Sequence, residues 1–349
     1  MQPVDRVSEL KSELGEQLVI LGHHYQRDEV IQVSDFRGDS LKLVFDAVQC
    51  RQAKYIVFCG VHFMAETAAI LAQPGQRVFL PDLDAGCPLA DMADLSDVQQ
   101  VWGQLSEVLD VENEVTPITY VNSTASLKAF CGRHNGLVCT SSNADRILAW
   151  AFEQRPYVFF FPDQHLGRNT GKKMGIPLDE MLLWDAKLAR GGFETEVIRD
   201  ARIFLWRGWC NVHQVFTADD VIRWRRQEPD IRVIVHPECP MEVVDQADEA
   251  GSTSYIIQQI VASPDGSKWA VGTEFNLVNR LDQENPDIHI ASLSAKPSYC
   301  GDMNSITLEK VERILAGLAA GEPVNQISVS ADTAGDARVA LERMLEVSK

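Results

Sequence analysis

The sequence predicts an α/β protein of three similar parallel-sheet αβα modules arranged with pseudo-threefold symmetry around a central site. Two observations predict it. Apolar strand-like runs alternate with helical stretches along all 349 residues, and the chain repeats one pattern of His, Asp, Gly, hydroxyl residue and Cys.

The strand-like runs are LVILG (18–22), YIVFCG (55–60), RVFLPD (77–82), ITYVN (118–122), YVFFFPD (157–163), RIFLWRG (202–208), IRVIVHPE (231–238), WAVGTE (269–274) and IHIASL (288–293). Runs so rich in β-branched and aromatic residues imply parallel sheets covered by helices on both faces.

The repeat is clearest between the two ends of the chain. His23 and His236 each follow a strand, and each is followed by Asp (35; 248), Gly (38; 251) and a hydroxyl residue (Ser40; Thr253) at the same intervals. The same 64 residues separate His23 from Cys87 and His236 from Cys300. A looser copy in the middle places Asn122 at the strand end, Ser141 at the hydroxyl position and Cys210 as its cysteine. That copy needs about two dozen additional residues, expected near 170–200. The expected modules are 1–100, 101–222 with this insertion, and 223–349, the last ending in a helix from about residue 334.

The bulk properties narrow the partners. With 45% hydrophobic and 23% charged residues the chain has a globular composition. A net charge of −18 argues against nucleic acid, whose phosphates would be repelled over most of the surface. The first residues, MQPVDRVSELKSELG, read as an amphipathic helix rather than a signal peptide, and no apolar run is long enough to span a bilayer. A cytoplasmic protein with no membrane partner is expected, and its eight cysteines are expected to be reduced.

Parallel strands direct functional groups to their carboxyl ends, so three copies about a common axis would point at one place. Each copy contributes one cysteine there: Cys87, Cys210 and Cys300. Three convergent thiolates suit an iron–sulfur cluster, and a [4Fe–4S] cluster with three cysteine ligands keeps one open iron. Cys50, Cys59, Cys131 and Cys139 read as buried small hydrophobes, and Cys239 as structural. Cys210-x-x-His213 with His236-x-x-Cys239 forms an alternative zinc set, but it leaves the shared 64-residue spacing without a cause.

Ser40, Ser141 and Thr253 each stand at an expected helix start, which would join three sets of free N–H groups into an anion trap. His23, Asn122 and His236 occupy matching strand ends. Glu238 is the candidate general acid/base, expected to titrate near neutrality beside a desolvated metal site. Tyr25 and Tyr120 flank these strand ends, and His213 is a weaker candidate. His24, His62, His134, His165 and His289 read as structural or exposed.

The motifs GHHYQ (22–26), GDS (38–40), FMAE (63–66), AGCPLAD (85–91), YVNS (120–123), CTSSNA (139–144), FPDQHLG (161–167), WCNVH (209–213), VHPECP (235–240), GST (251–253), GTE (272–274) and CGDMNSITL (300–308) together resemble the quinolinate synthase family of bacterial NAD biosynthesis over essentially the full length. The resemblance implies a three-domain α/β fold with a central [4Fe–4S] cluster on Cys87, Cys210 and Cys300. It implies condensation of iminoaspartate (iminosuccinate) with dihydroxyacetone phosphate to quinolinate, phosphate and water, and a transient contact with the enzyme that supplies iminoaspartate. Carried over by motif, the iminoaspartate contacts are His23, Ser40, Tyr120, Asn122, Ser141, His236, Glu238 and Thr253, with Tyr25 near the reacting carbons. The catalytic set is Glu238, Tyr25, His23 and His236. Two features depart from some relatives: no second cysteine stands near Cys300, and Met303-Asn304 replaces a Met-Lys pair. An aconitase-type iron–sulfur hydro-lyase and a non-catalytic iron–sulfur sensor are the alternatives.

Overall fold

The computed structural model describes residues 3–349 and contains three separate sheets. Its strands in chain order are β1 (Leu18–His23), β2 (Phe36–Gly38), β3 (Tyr55–Cys59), β4 (Arg77–Phe79), β5 (Val115–Tyr120), β6 (Leu137–Cys139), β7 (Tyr157–Phe161), β8 (Met181–Trp184), β9 (Ile203–Trp206), β10 (Arg232–Val235), β11 (Glu249–Ala250), β12 (Lys268–Gly272), β13 (His289–Ser292) and β14 (Gln326–Ile327). All nine strand-like runs of the sequence fall on β1, β3, β4, β5, β7, β9, β10, β12 and β13. The interior strands are apolar on both faces: every residue of β1 and β5 is buried, as a sheet covered on two sides requires.

The three sheets share one topology. The first runs β14-β4-β3-β1-β2, the third β13-β12-β10-β11, and the second β8-β9-β7-β5-β6. Apart from β14 and β8, each sheet places its second strand outside its first, with the third and fourth on the other side. All pairings are parallel except β14 on β4. The additional strand β8, with the helix Thr195–Asp200 behind it, occupies the expected insertion near 170–200.

The repeat extends to individual hydrogen bonds. Gly22 pairs with Arg37 and Val235 with Ala250, the same register offset. The two repeated aspartates do identical work: Asp35 accepts the N–H of Ile20 at 2.8 Å and Asp248 that of Val233 at 2.7 Å. The middle copy pairs at a longer offset, Tyr120 opposite Cys139, because its intervening helix Ala125–Arg133 is longer than Asp28–Val33 or Met241–Val244.

The chain after Cys300 departs from the expected third module. Helix Leu308–Ala320 packs on helix Pro3–Leu14, and β14 completes the first sheet. The terminal helix, grouped by sequence with the third module, spans Ala331–Val347 and lies along Ala125–Arg133 of the second. Gly132 permits that approach, since a Cβ there would collide with the Asp336 carbonyl oxygen. The helix buries Ala337, Ala340, Leu341 and Met344, the i, i+3, i+4, i+7 stripe that can seat on a neighbouring module. No helix among the described residues is long and apolar enough to cross a membrane.

In each sheet the first and third strands are neighbours, and the connections leave them in opposite directions. In open parallel sheets, ligands bind in the crevice at the carboxyl ends of such a strand pair. The three first strands end at His23, just before Asn122 and just before His236.

Candidate active site

Those strand ends converge on one cavity of about 670 Å³, counted to its opening, within the ~300–1,000 Å³ common for small-molecule sites. Every sequence-derived candidate lines it: His23, Tyr25, Ser40, Cys87, Tyr120, Asn122, Ser141, Cys210, His236, Glu238, Thr253 and Cys300. His213 lines it as well, whereas none of His24, His62, His134, His165 and His289 does.

The two repeated histidines are held alike. Nδ1 of His23 accepts the Tyr25 N–H at 3.1 Å, and Nδ1 of His236 faces the Glu238 N–H at 3.4 Å. In His23 this places the ring proton on Nε2, making that nitrogen a donor. Burial, with a contribution from His24, pushes His23 down to about 3, so its imidazole is neutral.

Glu238 is almost wholly enclosed. Its Oε2 lies 2.7 Å from His213 Nδ1, out of line for a hydrogen bond, and 3.2 Å from His236 Nδ1, while Oε1 has no partner. The two imidazoles stack with centroids 4.3 Å apart. Burial raises the Glu238 carboxyl, but the imidazoles of His213 and His236 more than offset it and hold it below the usual carboxylate range. Titration near neutrality is therefore not what this environment produces: Glu238 is an ionised carboxylate. His213 is pushed down to about 4, first by burial and then by His236, and is a neutral donor. Asp163, fully buried, moves the opposite way from Glu238, pushed up by burial and by the Glu238 charge.

A polar chain leads from this pair across the cavity. His213 Nε2 lies 3.1 Å from Thr273 Oγ1, which is 2.8 Å from the Tyr25 hydroxyl, itself 3.1 Å from Thr253 Oγ1. Burial raises both Tyr25 and Tyr120, so both remain neutral hydroxyls.

The helix starts differ from the expectation in detail. Ser40 and Thr253 open the helices Ser40–Gln49 and Thr253–Val261, but capping is done by the preceding residues, Asp39 and Ser252. Ser40 and Thr253 are thus spared that role. Ser141 stands in a turn, and its helix begins only at Ala144, because Asn143 Oδ1 closes the turn on the Thr140 N–H at 2.6 Å.

Cys87, Cys210 and Cys300 are partly buried free thiols, while Cys59, Cys131, Cys139 and Cys239 are buried in the interior. Each of the three begins a tight turn whose fourth residue aims its backbone N–H at the sulfur: Ala90, His213 and Met303. Amides so placed favour thiolate. Burial nonetheless pushes Cys87 and Cys300 up to about 12 and Cys210 well above the ordinary thiol range. Three such groups become thiolates together only when a metal neutralises them. Donor type and number fit an iron–sulfur group, and all three thiols line the one cavity. The zinc set does not assemble: Cys239 Sγ turns to the Gly272 carbonyl at 3.6 Å, and the close donor group is Cys210, His213 and Glu238.

The model of the quinolinate synthetase A protein family matches residues 5–346. The chain belongs to this family. It is 52% identical over 345 residues to the quinolinate synthase of Herpetosiphon aurantiacus, covering 98% of this chain and 92% of that protein. It is likewise 52% identical over 353 residues to that of Rhodopirellula baltica, covering 98% and 90%. With that of Anoxybacillus flavithermus it shares 51% over 340 residues, covering 97% and 92%.

Three cavity or near-cavity residues of this family member escaped sequence reasoning. Asp39 lies inside the GDS motif and Asp163 inside FPDQHLG, yet each resembles an ordinary helix N-cap in sequence. Thr273, between Gly272 and Glu274, becomes visible only as a bridge from Tyr25 to His213. His213, the weaker candidate, does line the cavity, and its sequence signal is the three-residue spacing from Cys210. Asn304 donates Nδ2–H to the Cys300 carbonyl at 3.1 Å and braces that loop.

Proposed function

We propose that this protein is a quinolinate synthase that condenses iminoaspartate with dihydroxyacetone phosphate, releasing phosphate and water, in cytoplasmic de novo NAD biosynthesis. One observation carries the reading: a thiol from each of three modules shares one cavity with Asn122, His213 and Glu238, each of which holds a buried, unpartnered polar atom. Cys87, Cys210 and Cys300 would hold a [4Fe–4S] cluster. When bound, its open iron supplies Lewis acidity toward nitrogen and oxygen donors of the substrate.

The remaining work falls to the chain. The hydroxyls of Ser40, Ser141 and Thr253 and the N–H groups beside them receive the two iminoaspartate carboxylates, supplying the positive field that the acidic exterior lacks. Asn122 Oδ1, buried without a partner, accepts an N–H of the substrate. His23 Nε2–H donates to substrate oxygen, and the neutral Tyr120 hydroxyl, which lines the same cavity, does the same.

Forming the pyridine ring requires removal of carbon-bound protons and protonation of leaving oxygens. Glu238 is the base, because it is ionised, its Oε1 has no partner, and the residue lines the cavity. Tyr25 is the hydroxyl that passes protons near the reacting carbons, with His236 fixing the Glu238 carboxylate. A transient complex with the iminoaspartate-producing enzyme would deliver that unstable imine directly.

The deciding assay incubates anaerobically purified, cluster-loaded protein with freshly generated iminoaspartate and dihydroxyacetone phosphate and measures quinolinate directly. Quinolinate formation dependent on both substrates is expected. Its absence, with water addition to a carbon–carbon double bond instead, would establish the hydro-lyase alternative.

A further inference from the structure

The three residues assigned above to the substrate carboxylates come from three modules, yet a single side chain ties their neighbourhoods together. Asp39 Oδ2 accepts the Ser142 hydroxyl at 3.1 Å and the Ser254 hydroxyl at 2.6 Å, and Oδ1 accepts the Lys42 N–H at 3.0 Å. Asp39 is adjacent in sequence to Ser40, Ser142 to Ser141, and Ser254 to Thr253. One carboxylate from the first module therefore grips the residue beside each carboxylate-binding hydroxyl of the other two. It is only 6% exposed and lines the same cavity.

The repeat makes this position singular. Thr140 and Ser252 stand where the second and third modules would carry Asp39, and neither is acidic. Near a pseudo-threefold axis there is room for one central group, so an asymmetric residue must serve all three modules. Burial opposes the Asp39 charge, but the Lys42 N–H, the Ser254 hydroxyl and His23 together hold the carboxyl below its ordinary value.

We propose that Asp39 is a positioning residue that sets the spacing of Ser40, Ser141 and Thr253, and so determines how well the site holds a four-carbon dicarboxylate. The inference rests on the substrate-site reading given above. Its action is geometric: the carboxylate fixes where the three hydroxyls stand, and each substrate carboxylate is received at that fixed separation.

The test is calorimetric titration of L-malate, a stable four-carbon dicarboxylate, into anaerobic cluster-loaded protein. Asp39→Ala is expected to raise Kd at least tenfold with visible cluster absorbance unchanged. Asp39→Asn can still accept from Lys42 and donate to both serine hydroxyls, so it should bind within about threefold of the original protein. The double variant Ser142→Ala/Ser254→Ala retains the helix cap and should match Asp39→Ala, which keeps the test decisive if Asp39→Ala does not fold. Wild-type affinity in the double variant, or equal losses in Asp39→Asn and Asp39→Ala, would overturn the positioning role. Failure of the unaltered protein to bind malate would instead remove the substrate-site reading, and this inference with it.

Discussion

The Tyr25 hydroxyl lies 2.8 Å from Thr273 Oγ1, although 248 residues separate them in the chain. This contact joins the end of the first module's leading strand to the third module and, through Thr273, to His213 and the Glu238 carboxylate. Replacing Thr273 by Val removes both hydrogen bonds at nearly constant volume. It leaves His213 Nε2 unpaired, a cost of about 1–3 kcal/mol for a buried polar group. Thr273→Val is therefore expected to lower the unfolding free energy by that amount and kcat about tenfold. Steady-state quinolinate formation with denaturant unfolding checks both, and an unchanged kcat would detach Tyr25 from Glu238.

The cysteines divide into two classes with different expected responses. Cys87→Ala, Cys210→Ala and Cys300→Ala should each abolish the brown cluster absorbance and the activity. Cys59→Ala and Cys139→Ala should retain both, losing only stability, because these thiols are packed in the interior away from the cavity. Iron and sulfide analysis of each purified variant separates the classes. Cluster retention in any one of the first three would strike that residue from the ligand set.

Glu238→Gln preserves the shape of the side chain while removing its basicity. Malate binding should persist within a few-fold, and kcat should fall by about 10²–10⁴, the usual contribution of a positioned acid or base. Near-normal turnover would transfer the proton-removing role to another group.

His23 gives the protein an acid sensitivity of definite sign. Its imidazole is pushed from its ordinary 6.5 to about 3, chiefly by burial. Above pH 6.5 it is neutral folded or unfolded and adds no pH dependence. Between pH 6.5 and about 3 the unfolded chain takes up a proton that the folded chain refuses, so stability falls as pH falls, by up to ~5 kcal/mol in total. His213, pushed to about 4, acts in the same direction. His23→Asn, which installs the residue found at the matching position of the second module, should flatten the curve over this range. Urea unfolding of both proteins at successive pH values measures the difference, and parallel curves would contradict it.

Every strand that sequence reasoning missed is an edge strand: β2, β14, β6, β8 and β11. Edge strands have one hydrogen-bonded neighbour and can be short, so two to four residues suffice and leave no readable periodicity. Phe36 and Arg37 of β2 are exposed, unlike any residue of β1. The interior strands were legible because burial on two faces demands continuous apolar runs. The site was legible through the repeat, whose copies carried His23, Ser40 and Cys87 into register with His236, Thr253 and Cys300.

The sequence by itself determined the modular α/β architecture, the three cysteines and the matched strand ends, because these follow from local apolarity and from spacing along the chain. Only the tertiary structure decided the ionised state of Glu238, the bridge made by Thr273, the clamp made by Asp39 and the docking of the last helix on the second module. Each of these depends on side chains from distant segments meeting away from water, and the strength of a charge or hydrogen bond there is set by neighbours that no linear spacing reveals.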